Sequence, residues 1–478
     1  MTARPATGTV VGLFRWILGG HLLGPVQRFA SAVIIAAGPW LVSVIALGLV
    51  SVTVQPIVGL AAVEDLRLTV VYAFCIAPLV AGPIGAVAAR LVAEESESGL
   101  IRQAPAIFLV AALGSALVAE GLTIAMVIIM GIGPVEVAAA FVVLTGAAAL
   151  LWTSFAILTA LKAYSFLVWS FISGIVFALT CIVWATRAGI STEILIWSFA
   201  AGIVLSVCMA LIRVRHAAGG QAGDTVAAAH RLWSAAGQLR MVGWGILFAI
   251  AAVWIDKWVY WVTPSAARSD AGFAHFNPYD TVMFVAHLSA IPTYAALLLF
   301  RDGDLRRGVE RFRADVRDGA THARLRQTVA ALSLSIWTGL FSVVFLQGTL
   351  TACAVLMAPA AATILGFNFD QILTLRVGLI GVFFHSIFFV CCAVILVCNR
   401  SLVFLLLQLG FLICNLFTSI LFYVVVGFSA YAFFTSALIA AGAAFVCAYR
   451  ALTSLDYLTF LGENDGIYAR LSHALRDR

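Results

Sequence analysis

Residues 105–131 read Pro-Ala-Ile-Phe-Leu-Val-Ala-Ala-Leu-Gly-Ser-Ala-Leu-Val-Ala-Glu-Gly-Leu-Thr-Ile-Ala-Met-Val-Ile-Ile-Met-Gly and carry one charged side chain, Glu120. As a helix rising 1.5 Å per residue, this run reaches about 40 Å, more than the ~30 Å hydrocarbon core of a bilayer. A membrane β-strand would be about ten residues of alternating polarity. The run does not alternate. Comparable runs recur from one end of the chain to the other. Of 478 residues, 63% are hydrophobic and only 10% charged, where a soluble chain carries about 25% charged residues. Mean hydropathy is +1.07. Too little polar surface exists to cover soluble domains, so the fold class is all-α, a polytopic membrane protein.

Working outward from 105–131, the apolar runs predict about twelve transmembrane helices. The first six lie at 29–53, 68–92, 105–131, 135–160, 165–187 and 193–213, and the last six at 241–262, 280–300, 328–350, 371–397, 401–425 and 429–451. The gap 214–240, with Gly219, Gly220, Gly223 and Asp224, reads as a cytoplasmic linker. The domains are therefore an N-terminal six-helix half (1–213), the linker, a C-terminal six-helix half (241–453) and a cytoplasmic tail (454–478). The first run is read as a span rather than a cleavable signal, because no small-residue cleavage site closes it.

Cytoplasmic loops hold an excess of Lys and Arg. With the N-terminus inside, all 28 Lys and Arg residues fall on the cytoplasmic side except Arg67, Arg187, Arg268, Arg376 and the intramembrane Lys257. Both termini are expected in the cytoplasm. The net charge of +6 then reports topology and contact with anionic lipid, not nucleic-acid binding. None of the nine cysteines stands at a metal-binding spacing, so no metal and no cofactor is expected. No Walker A, HExxH or GxSxG sequence occurs, and no enzyme activity is expected.

Ionisable residues inside spans are costly and face a bundle interior or a wet cavity. Glu120, near the middle of the third span, is expected to bind a proton or a cationic cargo group, or to hydrogen-bond another helix. Asp256 and Lys257 follow one another in the seventh span, and consecutive helical residues point about 100° apart, so no simple pair is expected. Lys257 is read as reaching outward and Asp256 as pointing inward, in a structural ion-pair role or a pathway role, with Trp254, Trp258 and Trp261 in an interfacial belt. Asp280 opens the eighth span as an N-cap or a pathway group. Acids outnumber bases across these positions, which suits a cationic cargo. His287 and His385 are each read as lone histidines, helix-bonded or proton relays.

Pro39, Pro83 and Pro292 are read as helix kinks. Pro83 and Pro292 occupy second spans of the two halves, and matching interruptions point to a transport pathway. The stretch 301–327 is strongly charged and is read as a surface helix or as a docking surface for a cytoplasmic partner.

Four stretches carry a family resemblance. They are Ala32-Val-Ile-Ile-Ala-Ala-Gly-Pro-Trp-Leu41; Leu79-Val-Ala-Gly-Pro-Ile84 with Ala89-Arg-Leu91; Val253-Trp-Ile-Asp-Lys-Trp258 with Pro278-Tyr-Asp280 and Ile291-Pro292; and Leu455-Asp-Tyr-Leu-Thr-Phe460. In order and over nearly the whole chain, they resemble the PelG family of exopolysaccharide exporters. The chain departs from that pattern at Val33, at Arg301-Asp-Gly-Asp-Leu305, around Arg376-Val-Gly378 and at Asn399, positions that bear on partner contacts more than on fold.

The resemblance implies a twelve-helix member of the multidrug, oligosaccharidyl-lipid and polysaccharide exporter superfamily in the bacterial inner membrane. It implies a cationic, amino-sugar-rich polysaccharide or its precursor as cargo. It also implies a cytoplasmic glycosyltransferase and cyclic-di-GMP-sensing membrane subunits as partners. Three functions stay open: export of that polymer, ion-coupled antiport of small molecules or drugs, and a non-transporting role within a membrane glycosyltransferase complex.

Overall fold

The computed structural model describes residues 32–33, 43–98, 101–188, 192–300 and 306–453. Pro39, the first family stretch beyond residue 33, residues 301–305, Leu455-Asp-Tyr-Leu-Thr-Phe460 and the tail 454–478 lie outside them. In chain order the helices are α1 (Ser43–Thr53), α2 (Leu60–Ser98), α3 (Ala104–Met130), α4 (Val135–Ala160), α5 (Tyr164–Arg187), α6 (Thr192–Ala217), α7 (Thr225–Gln238) and α8 (Arg240–Trp261). A hairpin of β1 (Ala267–Arg268) and β2 (Ala274–His275) follows, paired antiparallel. The remaining helices are α9 (Asn277–Leu288), α10 (Ile291–Phe300), α11 (Arg306–Arg317), α12 (His322–Leu365), α13 (Phe369–Val397), α14 (Ser401–Val426) and α15 (Tyr431–Thr453).

Eleven helical segments among the described residues are long and apolar enough to cross a membrane, with α9 and α10 counted together, and α1 occupies part of the first expected span. The protein is an all-α, polytopic membrane protein. Two helices outrun the expected spans. α2 has 39 residues and α12 has 44, lengths of about 58 and 66 Å against a ~30 Å core. Their extra turns take in Glu94 and Glu95 of α2 and Arg324 and Arg326 of α12.

The stretch read as a linker is largely helical. Asp224 caps α7 by accepting hydrogen bonds from Val226 N (2.9 Å) and Ala227 N (3.2 Å), which satisfies donors that a helix start leaves open. Arg231 pairs with Glu95 of α2 at 2.5 Å, and Gln103 Oε1 accepts from Asp224 N at 2.9 Å. The glycines 219, 220 and 223 marked a flexible join, and each does take positive φ; the helix follows them because Asp224 starts it.

The chain forms two compact units. Among the described residues, one comprises 43–281 and 408–428; the other comprises 282–407 and 429–453 with residues 32–33. In the first unit small residues let helices approach. A Cβ on Gly202 of α6 would lie 2.6 Å from Ala178 Cβ of α5, and one on Gly85 of α2 would lie 3.2 Å from Ala156 Cβ of α4. Membrane helices associate through such close packing, since lipid supplies no hydrophobic drive. In the second unit Gly381 of α13 serves likewise: a Cβ there would lie 2.8 Å from the Phe433 ring of α15.

Local turns repeat between units. After α4, Ala163 N bonds Leu158 O (2.9 Å) and Lys162 N bonds Thr159 O (3.0 Å), with Lys162 at φ 55°. After α13, Arg400 N bonds Ile395 O (3.1 Å) and Asn399 N bonds Leu396 O (3.0 Å), with Asn399 at φ 56°. The ends of α3 and α12 match too, each closing on a left-handed glycine, Gly131 and Gly366. This is the αL helix stop.

Close packing at Gly202 gives an expected contrast. Gly202→Ala overpacks the α5–α6 seam and is expected to cost about 1–3 kcal/mol. Gly442→Ala, where a Cβ meets nothing within 4 Å, should stabilise by roughly 0.5–1 kcal/mol. Thermal unfolding of both purified variants reads the two signs, and equal shifts would contradict the packing described.

Candidate functional site

The seventh span runs mid-helix through Val253-Trp-Ile-Asp-Lys-Trp258, all within α8. Asp256 is fully buried, at 0% exposure, and Lys257 is 7% exposed. Contrary to the expectation from helical spacing, the two pair directly. Lys257 Nζ lies 3.0 Å from Asp256 Oδ1 and 3.2 Å from Oδ2. The 100° between consecutive residues fixes where the side chains leave the helix, not where a four-carbon stem ends. Lys257 folds back along the helix, and its Nζ also donates to Val253 O at 3.0 Å.

Further partners complete the group. Tyr279 Oη of α9 donates to Asp256 Oδ2 at 2.7 Å. Lys257 Nζ stands 5.9 Å from the ring centres of both Trp254 and Tyr279, within range of a cation–π attraction. The expectation that Lys257 reaches outward therefore fails, because its charge is satisfied inside. The three tryptophans are half-buried against protein. Trp258 lies beside Cys75, Trp261 stacks on Tyr72 at 4.6 Å, and Trp254 lies against Lys257. Trp254 and Trp261 line the group.

Asp280 sits in the first turn of α9, past the cap position. Its Oδ2 accepts from Phe276 N and from Trp261 Nε1, both at 2.8 Å. It thus reaches back to a backbone donor ahead of the helix, as a cap would, while tying α9 to α8. Its Oδ1 is buried with no hydrogen-bond partner among the described residues. Asp256, Lys257, Tyr279 and Asp280 are thereby brought together. Below them Asn415 Nδ2 of α14 donates to Ala252 O at 2.8 Å.

The hairpin lies between α8 and α9. It closes over helix ends of the first unit. Tyr72 Oη donates to Ala274 O (2.6 Å), Ala271 N donates to Asp65 Oδ1 (3.2 Å), and Arg268 Nη1 donates to Met130 O (3.1 Å). Glu64 lies 3.5 Å from His275 and 3.6 Å from Arg67. No periodicity marks such a loop, because its order comes from side chains on α2.

Glu120 takes no part in this group. It is half-buried on α3, with its carboxyl over Gly146 of α4, where a Cβ would overlap it. Among the described residues it makes no hydrogen bond or ion pair, so the helix-bonding alternative finds no partner there. Its neighbours Leu117, Val118 and Leu122 are exposed, which places Glu120 at the edge of the α3–α4 seam.

The two described prolines differ. The helix runs unbroken through Pro78 and Pro83, and this face is covered by protein: a Cβ on Gly82 would lie 2.8 Å from Ile250 Cδ1 of α8. The eighth span does break, at residues 289–290, and Pro292 stands in the first turn of α10, where a missing N–H costs nothing. Behind it Thr293 donates to Gln347 of α12, whose Nε2 donates to Thr351 Oγ1 at 3.2 Å. The charged stretch 306–317 forms the helix α11, and Asp315 pairs with Arg324 at 3.0 Å. The Thr328 hydroxyl, with Arg324, holds the Asp315 carboxyl below its usual range.

Comparisons with known proteins give the wider setting. The sequence pattern of the PelG family, described as "Putative exopolysaccharide Exporter (EPS-E)", matches residues 12–460. No curated protein sequence matches the chain. Among solved structures the fold is similar to a MOP superfamily transporter from Pyrococcus furiosus, at 14% identity and TM-score 0.60 over 90% of this chain and 95% of that one. It is similar to MATE in the straight conformation, at 13% identity and TM-score 0.62 over 90% and 96%. It is also similar to an inward-facing MATE family transporter of the MOP superfamily, at 13% identity and TM-score 0.58 over 94% and 99%. Family and fold are those of a membrane transporter rather than an enzyme.

A buried ion pair is costly to break and less costly to replace whole. Lys257→Met, which strands Asp256, is expected to destabilise by ~3–5 kcal/mol. The double variant Asp256→Asn/Lys257→Met should lose clearly less than the sum of its single variants. Unfolding midpoints of the purified proteins decide, and additive losses would contradict a direct pair.

Proposed function

Because the chain belongs to the PelG family, we propose that it exports a cationic, amino-sugar-rich exopolysaccharide, or its precursor, from the cytoplasm across the bacterial inner membrane. The observation that carries this reading is the family match over 12–460, which encloses the buried Asp256, Lys257 and Tyr279 and the half-buried Asp280. The distribution of Arg and Lys supports a cytoplasmic position for both termini. Two six-helix halves, 1–213 and 241–453, joined at 214–240, move against each other. The repeated turns at Lys162 and Asn399 and at Gly131 and Gly366 support that division.

In this reading the pathway groups have separate tasks. Asp256 and Lys257 neutralise each other, so the pathway wall carries little net charge there. Asp280, with one carboxylate oxygen unsatisfied, and Glu120, unpaired in the α3–α4 seam, are the acids left to meet amino groups of a cationic polymer. The chain carries no Walker A motif, so its energy comes from an ion gradient, the growing polymer or a partner. A cytoplasmic glycosyltransferase supplies that polymer, and cyclic-di-GMP-sensing membrane subunits govern it. The charged α11 offers these partners a surface.

Cells that lack this chain but keep the synthase are expected to accumulate polymer inside and secrete none. Wild-type chain restores secretion, and Asp280→Asn restores it at less than a tenth of the wild-type rate. Lost synthesis with nothing trapped would instead mark a non-transporting subunit. Unchanged secretion together with new sensitivity to toxic cations would mark a small-molecule antiporter. Glu120→Gln secreting at the wild-type rate at every pH would remove Glu120 from the pathway.

A further inference from the structure

Two histidines far apart in sequence meet within the second unit. His287 of α9 and His385 of α13 have ring centroids 6.2 Å apart, with planes at 63°. Phe433 of α15 lies against both, at 5.3 Å from His287 and 5.9 Å from His385. Phe388 stacks on His385 at 6.3 Å. Three helices thus hold two imidazoles in an aromatic enclosure. The approach is close because Gly378, two turns before His385, admits α9: a Cβ there would lie 2.9 Å from Met283 Sδ.

One hydrogen bond sets the chemistry of the pair. His287 Nδ1 lies 2.8 Å from Met283 O. A carbonyl oxygen only accepts, so Nδ1 bears the hydrogen in the neutral ring and Nε2 carries the lone pair. Nε2 is therefore the atom that takes a further proton. Phenyl faces attract a cation, so the enclosure suits an imidazolium better than aliphatic walls would. Among the described residues no three His, Cys, Asp or Glu side chains are grouped for a metal, and two imidazoles fall short of a zinc ligand set. The other titratable groups on the helices around the pair are Tyr279 and Asp280 on α9; Asp370, Arg376, Cys391 and Cys392 on α13; Tyr431, Cys447, Tyr449 and Arg450 on α15; Tyr294 on α10; and Cys353 on the membrane part of α12. Ring contacts to the pair come from Phe433 and Phe388.

The pair also stands at the one place where the eighth span breaks. Ala290 N donates to His287 O at 3.1 Å and Ser289 N donates to Ala286 O at 3.1 Å, so the turn that ends α9 is built on the backbone of His287. We propose that His287 and His385 form a proton-binding site that takes one proton for the pair and passes its occupancy to the 289–290 break. Two protons would put like charges side by side in a low-dielectric enclosure, which disfavours the second. In the proton's absence the rings pack as neutral aromatics. In its presence the shared charge draws α9 and α13 together and resets the turn. Its role in driving export rests on the transporter reading; proton binding does not.

The test is a pH titration of ring-labelled histidine in the full-length protein, purified into lipid nanodiscs and followed by NMR. The chain has eight histidines, and His287→Gln and His385→Gln assign the two signals. The expected result is that both rings titrate over one shared pH interval in the wild type, and that His385→Gln displaces the titration of His287. Separate titrations, or two rings silent over the whole range in which the protein stays monodisperse, overturn the proposal, and the wild-type spectra decide this even where a variant does not fold. Polymer secretion is measured in parallel on the same variants. Coincident titration with no secretion even by the wild-type chain upholds the proton site and removes the exporter reading. Independent titration with secretion intact does the reverse.

Discussion

A hydrocarbon core offers no water to a polar group, so each such group inside the membrane must find its partner within the protein. That constraint shapes this molecule at every scale. It selects helices, whose backbone bonds are internal. It then governs the hydroxyl side chains, which bond back to the carbonyl four residues earlier: Thr69 to Asp65, Thr123 to Ala119, Thr145 to Phe141 and Thr186 to Ile182. It governs the ionised groups most strictly. Asp256, buried completely, is matched by a neighbouring ammonium and a phenol.

The same constraint separates supporting polar groups from those available for work. Asp256 and Lys257 saturate each other, with Tyr279 and the Val253 carbonyl taking what is left. Such a group holds α8 and α9 in register and contributes little net field. Asp280 is different, since one oxygen ties α9 to Trp261 while the other has no partner among the described residues. Glu120, half-buried over Gly146, likewise has no hydrogen bond or ion pair among the described residues. In the proposed reading these two acids are the groups that meet a positively charged cargo.

Much of this was legible in the sequence. The spans follow from hydropathy alone, and the observed helices coincide with the expected runs to within a few residues at most ends, because a run of twenty apolar residues has no other stable form in lipid. Where ends extend, as in α2 and α12, solvent lets a helix continue past the bilayer and hydropathy stops reporting. The residues Asp256, Lys257 and Asp280 were identifiable as intramembrane charges. Their pairing was not, since the reach of a lysine stem outweighs the angle between consecutive residues. The hairpin over α2 was hidden because its order comes from Tyr72 and Asp65, some 200 positions away. The meeting of His287 with His385 was hidden for the same reason. Lys162 and Asn399 carry no glycine to mark a left-handed turn, so the repeat they form emerges only from φ.

The central claim is that this chain moves polysaccharide through a membrane. It is tested most directly with sealed inverted vesicles from cells that express the chain, given fluorescently labelled polymer on the outside. Export in the cell corresponds to uptake into these vesicles. The account predicts polymer inside the lumen, protected from an added glycosidase until detergent is supplied, and none in vesicles without the chain. Polymer that stays fully degradable in both preparations, with folded protein present in the membrane, would contradict it.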